Sequence, residues 1–160
     1  MSRLRDVGLD FLDSAPTRMV FEALVPAPRH PVFAAITADP TTWTWFPRMR
    51  GLPYRGTEPH GVGTIREIRT MGARYRETIV AWDAPSRWAY RVDETNFPIA
   101  KALVEEWTTQ ERGGSTLVRW TFAIDPRPLF RIALPLAPIV MRRVFETAMR
   151  NLAATIPTSA

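Results

Sequence analysis

The spacing of apolar and polar residues changes along the chain, from strand-like in the middle to helical near the end. Between residues 17 and 125, runs rich in β-branched and aromatic residues end at Gly, Pro or Asp, which is typical of strands joined by tight turns. Two short helices are predicted after the first strand, because Pro31 and Pro40 each fit the first turn of a helix. We predict strands over residues 17–25, 64–70, 73–82, 87–94, 101–112 and 115–125, and short helices over residues 28–37 and 39–47.

The C-terminal part of the chain has the period of one long amphipathic helix. Pro135 and Pro138 interrupt its first half, so we expect the firm helix to begin near Ile139 and to continue as far as Ile156. Strands grouped before a terminal helix indicate an α+β fold, in which a curved antiparallel sheet of about six or seven strands wraps around that helix. The apolar residues at helical spacing are Phe130, Leu134, Met141, Phe145, Ala148 and Leu152.

Length and composition are those of one globular domain. The chain has 160 residues, of which 46% are hydrophobic and 23% charged, and a chain of this size can bury a core. We assign residues 1–16 to a polar leader, expected to be peripheral or frayed, and residues 17–156 to the domain itself. The sequence contains no apolar run long enough to span a bilayer, and its acidic first residues do not form a signal peptide, so we expect a cytoplasmic protein.

Several kinds of chemistry are excluded by the residues that the sequence lacks. It has no cysteine and only two histidines, His30 and His60, so it offers no thiolate nucleophile and no multi-histidine metal site. No Ser/His/Asp set can be assembled, because both histidines lie outside the predicted strands and the sequence has no G-x-S-x-G motif. We therefore expect neither a metal nor a cofactor. The formal net charge is +5, and Lys101 is the only lysine. Because the arginines alternate with acids and form no basic block, we expect no nucleic-acid partner.

Five short stretches of the chain, in this order, resemble the signatures of one known superfamily. They are ALVPAPRHPVFAAIT at residues 23–37, DPTTWTWFP at 39–47, GVGTIR at 61–66, ETIVAWDAP at 77–85 and GGSTLVRW at 113–120. Over about residues 17–156 the chain is similar to the START-like helix-grip (SRPBCC) superfamily and, within it, to the polyketide cyclase/dehydrase-like family. The resemblance implies a deep, mostly apolar ligand-binding cavity between the sheet and the long helix. It does not choose among lipid carriage, hormone binding, polyketide cyclisation and oxygenase activity.

The Gly-Gly pair at residues 113–114 sets a strand register that indicates which residues face this cavity. A two-residue turn there places Trp107 opposite Trp120 and Glu105 opposite Phe122. The apolar face of the hairpin is expected to point inward, and Glu105 lies on that face. A carboxylate in this position would need a partner, or burial would raise its pKa.

The turns at residues 71–72 and 83–86 set the expected registers of the neighbouring strands. They place Arg66 opposite Glu77, and Ala81 opposite Trp88. A single β-bulge would reverse either register. The residues expected to join this concave face are Tyr75 (opposite Ile68), Tyr90 (opposite Ile79) and Glu94.

The aromatic and acidic residues of the concave face form the candidate site. The favoured interpretation of Arg66 and Glu77 is a structural ion pair, and a catalytic pair is the alternative. The catalytic candidates are Glu105, Glu77 and Arg66. The candidate ligand-contacting residues are Trp43, Phe46, Arg66, Tyr75, Glu77, Trp88, Tyr90, Glu105, Trp107, Trp120, Phe122, Met141 and Phe145.

Three functional hypotheses follow. The leading hypothesis is the carriage or sensing of a hydrophobic small molecule, such as a lipid, polyketide or aromatic metabolite. The second is an enzyme of the cyclase, dehydratase or hydrolase type, in which Glu105 or Glu77 abstracts a proton next to a carbonyl. The third is an interaction or membrane-surface protein, based on the apolar, proline-broken segment 128–141 beside Arg142 and Arg143. The favoured interpretation of this segment is a buried cover over the sheet; the alternatives are a mobile lid, a dimer patch and a lipid-docking edge. The sequence is compatible with either a monomer or a homodimer.

Overall fold

A single antiparallel sheet dominates the computed structural model of the protein, in which residues 1–157 are described. The strands run in the order β2-β8-β7-β6-β5-β4-β3, and the short β1 pairs with β6 outside that path. Together the sheet and the long helix α4 form the predicted helix-grip fold. The strands are β1 Ser2–Arg3, β2 Thr17–Val25, β3 Met49–Gly51, β4 Ile65–Thr70, β5 Ala73–Asp83, β6 Arg87–Thr95, β7 Ala100–Arg112 and β8 Ser115–Pro126. The helices are α1 Phe11–Ser14, α2 Arg29–Thr37, α3 Pro128–Arg131 and α4 Ala137–Thr155, and Pro40–Thr42 forms one 3-10 turn.

Two tight turns set the registers of two strand pairs as the sequence predicts. Gly113 and Gly114 have φ angles of 56° and 82°, the left-handed values that a two-residue hairpin turn requires and that glycine adopts without strain. The predicted register between β7 and β8 is confirmed, with Trp107 opposite Trp120 and Glu105 opposite Phe122. The register between β4 and β5 is confirmed as well, and it places Arg66 opposite Glu77.

The second predicted helix is wrong. Only the 3-10 turn forms there, with the Asp39 carboxylate accepting a hydrogen bond of 2.9 Å from the backbone N–H of Thr41. The chain then continues without helix through the aromatic residues Trp43, Trp45 and Phe46 into β3, a strand that the sequence did not predict. At Gly51 in β3, a Cβ atom would stand 2.1 Å from the Pro40 side chain, so only glycine permits this close approach.

The N-terminal leader is packed rather than frayed. β1 pairs with β6, and the backbone N–H of Leu4 donates to the Asp93 carbonyl oxygen at 2.8 Å. Helix α1 buries Phe11 and Leu12 against the convex face of the sheet. There they cover the small apolar side chains of Ala102, Val104 and Ala123. The expectation of a frayed leader is therefore wrong, because the leader carries the apolar side chains that shield this part of the sheet from water.

The main core lies on the concave face of the sheet and against α4. The buried face of α4 presents Phe145, Ala148, Met149 and Leu152. The helix begins two residues before the expected position, because Pro138 falls in its first turn, where the missing N–H has no helical partner to lose. Among the helices formed by residues 1–157, none is both long and apolar enough to cross a membrane.

A candidate ligand-binding cavity

A cavity of about 390 Å³ opens between the concave face of the sheet and the segment that contains α3 and the start of α4. Its wall is mostly aromatic and aliphatic. Besides the indole groups, the polar side chains in the wall are those of Thr70, Tyr75, Glu77, Tyr90 and Glu105. This combination of apolar wall and few polar groups is typical of sites for small organic molecules.

Ten of the thirteen candidate residues lie in the wall of this cavity. The residues in the wall are Trp43, Phe46, Tyr75, Glu77, Tyr90, Glu105, Trp107, Trp120, Phe122 and Met141. Arg66, Trp88 and Phe145 are not in the wall. Arg66 and Trp88 lie on the concave face as predicted, opposite Glu77 and Trp107, and the role of all three as ligand contacts stays a prediction. All three are fully buried behind the wall, where they pack against the residues that do line it.

Two bulges in β5–β6 explain the errors of register. The turn at residues 83–86 leads first into the pairs Trp82 with Trp88 and Ala81 with Ala89, not the predicted pair of Ala81 with Trp88. A register shift between Ile79 and Ala81 then restores the predicted pair of Ile79 with Tyr90.

The second bulge lies farther along the same pair of strands. A register shift between Arg76 and Glu77 turns Glu94 away from the cavity and places it opposite Arg76. The two side chains form an ion pair of 3.8 Å that is about one third exposed. The prediction that Glu94 faces the cavity is therefore wrong.

A buried ion pair underlies one side of the cavity. The Arg66 Nε atom donates to Glu77 Oε2 at 2.5 Å, and both side chains are almost completely buried. The guanidinium carbon lies 4.0 Å from the ring centroid of Tyr90 and 4.5 Å from that of Trp88. These aromatic faces attract the cation, while its Nη1 and Nη2 atoms have no hydrogen-bond partner among residues 1–157.

The protonation of this pair follows from its surroundings. Burial raises the pKa of Glu77, and the adjacent Arg66 guanidinium opposes that rise. Burial lowers the pKa of Arg66, but the charge of Glu77 outweighs it and holds that pKa above its usual value. Arg66 therefore stays charged, and Glu77 supplies the neutralising charge that a buried guanidinium requires.

Glu105 is the second acid of the cavity, and no cationic side chain of residues 1–157 contacts it. Its Oε2 atom accepts hydrogen bonds from the Tyr90 hydroxyl at 2.6 Å and from Trp120 Nε1 at 2.9 Å. Trp107 Nε1 in turn donates to the Tyr90 hydroxyl oxygen at 3.3 Å. Within the described part of the chain, no side-chain donor hydrogen-bonds to Glu105 Oε1, which leaves that oxygen for a ligand in the cavity.

The surroundings of Glu105 bring its titration close to neutral pH. Burial and, next, the charge of Glu77 raise the pKa of Glu105 to about 7, although the hydrogen bonds from Tyr90 and Trp120 favour the ionised form. Burial also raises the pKa of Tyr75 to about 12, so its hydroxyl is a neutral donor in the cavity at physiological pH. The cavity thus combines one carboxyl group that changes charge near pH 7 with neutral hydrogen-bond donors.

Some residues of the wall were missed by the sequence argument. Ile68 pairs with Tyr75, and Val144 follows Met141 by one helical turn, so register and helical spacing could have identified both. Phe97 and Met71 reach the cavity from a loop and a turn, where no periodic signal exists. Within residues 1–157, no three acidic or histidine side chains come together as a set of metal ligands.

Comparison with known proteins agrees with the architecture described above. The family model described as polyketide cyclase/dehydrase and lipid transport matches residues 16–157. The chain therefore belongs to this family. An uncharacterized protein from Mycobacterium tuberculosis is 28% identical over 153 residues, which cover 90% of this chain and 89% of that protein.

Solved structures resemble the protein in fold. A START superfamily protein from Mycobacterium smegmatis superposes with a TM-score of 0.67 at 10% identity, covering 87% of this chain and 96% of that one. A solution structure from Thermobifida fusca gives a TM-score of 0.68 at 23% identity, covering 85% and 90% of the two chains. At these identities the likeness concerns the fold alone.

Proposed function

We propose that the protein binds a hydrophobic small molecule in the internal cavity, for carriage or sensing. The observation that carries the proposal is an apolar cavity of about 390 Å³ whose wall contains Glu105, a carboxyl group that no cation in the described part of the chain contacts. At about 30 Å³ per water-sized group, this volume holds about a dozen such groups. It fits a bicyclic aromatic molecule or a medium-length acyl chain.

Glu105 restricts the polar part of such a ligand. Below pH 7 its carboxyl group is mainly protonated and can donate a hydrogen bond, and above pH 7 it accepts one. A carboxylate ligand next to ionised Glu105 would be repelled. A ligand with a hydroxyl or carbonyl group next to an apolar body is therefore favoured over a fatty acid whose carboxylate lies at this end.

A fluorescent neutral probe tests whether the cavity is the binding site. N-phenyl-1-naphthylamine is expected to bind with increased emission, and Ala137→Phe, which adds a ring to the cavity wall, is expected to weaken binding at least tenfold. Ala154→Phe is the matched control, because Ala154 is exposed on the same helix and does not line the cavity. Equal affinity for the two variants would contradict the proposal.

A second candidate function is an enzyme that uses Glu105 as a general base. The observation that favours it is the location of Glu105 in the cavity wall together with a pKa raised to about 7, the range in which a base works best at neutral pH. The Tyr75 hydroxyl, in the same wall, is a donor able to polarise a carbonyl oxygen. This arrangement suits abstraction of a proton next to a carbonyl, a step within polyketide cyclisation or dehydration.

The exchange of α-protons separates the enzyme from the carrier. 2-Tetralone, a bicyclic ketone of suitable size, would be incubated with the protein in D₂O and its loss of α-protons followed by NMR. The enzyme hypothesis predicts exchange above the buffer rate that Glu105→Gln abolishes and Glu106→Gln, on the opposite face of the same strand, retains. Exchange at the buffer rate with the ketone bound would leave carriage or sensing as the function.

A further inference from the structure

Three arginines lie side by side across one edge of the sheet. Arg50 in β3 is directly opposite Arg69 in β4, and Arg69 is directly opposite Arg74 in β5. Like charges in directly opposed positions destabilise a sheet. Elsewhere in β4 and β5 the cross-strand neighbours have opposite charges, as in Arg66 with Glu77 and Glu67 with Arg76.

These arginines have no compensating acids. All three are exposed, and none of them lies within 4.0 Å of a carboxylate oxygen of residues 1–157. By contrast, a carboxylate oxygen lies within 4.0 Å of each of the side chains of Arg5, Arg55, Arg76 and Arg119. We refer to Arg50, Arg69 and Arg74 as the arginine row. Its unbalanced charge is explained if a negatively charged partner covers it.

The arginine row borders the mouth of the cavity. A second, open groove of about 350 Å³ is lined by residues 48–50 and 69–72, and so contains Arg50 and Arg69 of the row together with Arg48. It shares Met49, Thr70 and Met71 with the wall of the main cavity. Arg50 and Arg69 therefore lie next to the rim of the cavity mouth, at the end of β4 that leads into the turn at residues 71–72. Arg74 is opposite Arg69, and the row projects from the face of the sheet opposite to Ile68 and Tyr75, on the outer side of that rim.

The other side of the mouth is apolar and exposed. Four large apolar residues of the cavity wall reach the surface there: Met71 is 70% exposed, Leu136 66%, Phe97 52% and Val140 52%. Leu129 and Ile132, each 79% exposed, extend this apolar surface along α3 and the turn that follows it. The favoured interpretation of segment 128–141 as a buried cover is therefore wrong. One face of this segment closes the cavity, and the other meets solvent.

The segment of the chain that carries Leu129 and Ile132 is basic. Residues 126–145 contain Arg127, Arg131, Arg142 and Arg143 and no acidic residue. An apolar surface flanked by arginines on both sides matches the interface of a bilayer that contains anionic lipids, since the side chains enter the acyl region while the guanidinium groups meet phosphates. A second copy of this chain would bring like charges together, and a nucleic acid would leave the apolar centre uncovered.

We propose that the mouth of the cavity docks on an anionic phospholipid bilayer, with the arginine row on the headgroups and Leu129 and Ile132 inserted. The proposal deepens the proposed function and rests on it in one respect, since docking would let an apolar ligand pass between bilayer and cavity without crossing water. Docking itself requires only the surface described above. The two proposals therefore fail independently.

Vesicle flotation tests docking. The full chain would be mixed with vesicles of phosphatidylcholine alone or with about 30% phosphatidylglycerol, and its partition into the floating fraction measured. We expect binding to the anionic vesicles, weak binding to the neutral ones, and a marked decrease at high salt. The triple variant Arg50→Gln/Arg69→Gln/Arg74→Gln is expected to lose on the order of 100-fold in partition, at about fivefold for each arginine.

Matched variants control for charge and for hydrophobicity. Arg112→Gln/Arg119→Gln/Arg150→Gln removes the same charge from exposed positions outside both the cavity mouth and the groove, and is expected to float like the unmodified protein. Leu129→Ser/Ile132→Ser is expected to lose at least tenfold, whereas Leu24→Ser/Val62→Ser, also exposed but outside the mouth, retains binding. Unchanged cooperative urea unfolding checks, independently of probe binding, that each variant is folded.

The outcomes separate docking from cavity binding. Failure of the unmodified protein to float with anionic vesicles, while it binds the probe, would overturn docking and leave the proposed function in place. Flotation with anionic vesicles but no probe binding would overturn cavity binding and leave docking in place. Equal flotation of the two arginine triples would overturn the role of the arginine row. A dimer in sedimentation that Leu129→Ser/Ile132→Ser dissociates would assign the apolar surface to a second copy and overturn docking.

Discussion

The replacement Glu105→Gln removes the charge of the cavity carboxyl group and keeps its shape. A pKa that rises from 4.5 to about 7 makes the ionised form of Glu105 about 3 kcal/mol less favourable in the folded protein than in the unfolded chain. The folded state binds this proton more tightly than the unfolded state does. Stability from this group is therefore fully present below about pH 4.5 and is lost as the pH rises to about 7.

The magnitude can be measured as a difference between two proteins. Most of this loss, about 2–3 kcal/mol, falls between pH 5 and pH 8. Glu105→Gln abolishes this contribution while leaving an amide oxygen that accepts from Tyr90 and Trp120. We therefore expect the stability of Glu105→Gln relative to the unmodified protein to increase by about 2–3 kcal/mol between pH 5 and pH 8.

Equilibrium urea unfolding at half-unit pH steps is the assay. Glu106→Gln is the control, because Glu106 lies next in the strand on the other face and pairs with Arg87 at 2.6 Å. Glu106→Gln should keep the pH dependence that Glu105 produces. A free-energy difference between Glu105→Gln and the unmodified protein that stays constant within about 0.5 kcal/mol from pH 5 to pH 8 would refute the argument, because Glu105 would then titrate alike in both states.

Two further predictions concern the charges on the two faces of the sheet. Glu77→Gln should lower the free energy of unfolding by about 3–5 kcal/mol, because Arg66 remains buried and charged without its partner. Arg66→Met combined with Glu77→Leu should be less destabilising than Glu77→Gln alone, because it removes both buried charges. A larger loss in the double variant would contradict this account. Arg69→Thr should raise the free energy of unfolding by a few tenths to about 1 kcal/mol, because it relieves the repulsion of Arg69 by both Arg50 and Arg74. Arg112→Thr, at the β7–β8 turn, should not raise it. If thermal or urea unfolding shows that Arg69→Thr is destabilising, the three arginines do not repel one another as described.

The position of Glu105 could be predicted because the sequence contains a strong turn signal. Gly-Gly at residues 113–114 permits one hairpin turn, and counting outward from it places Glu105 among inward-facing aromatic residues. The pair of Arg66 with Glu77 followed in the same way from the turn at residues 71–72. The turn residues therefore made it possible to predict where Glu105, Arg66 and Glu77 lie in the sheet.

The errors arose where tertiary packing decides the outcome. The bulges in β5–β6 carry no local sequence signal, so the prediction for Glu94 was wrong, as was the pair of Ala81 with Trp88. Helical period alone cannot tell which side of segment 128–141 meets water, since both sides are apolar. The burial of Phe11 and Leu12 depends on a convex sheet face that does not exist until the strands have paired.

The central claim is that the cavity itself binds an apolar molecule, and the indole N–H signals of the six tryptophans test it most directly. Trp43, Trp107 and Trp120 line the cavity, whereas Trp82 does not. Titration with N-phenyl-1-naphthylamine, followed in ¹H–¹⁵N spectra assigned with single Trp→Phe variants, should shift the Trp107 and Trp120 signals to saturation at one probe per protein and leave Trp82 in place. Probe fluorescence with no change at Trp107 and Trp120 would place the molecule on the exposed apolar surface at the mouth and contradict the claim.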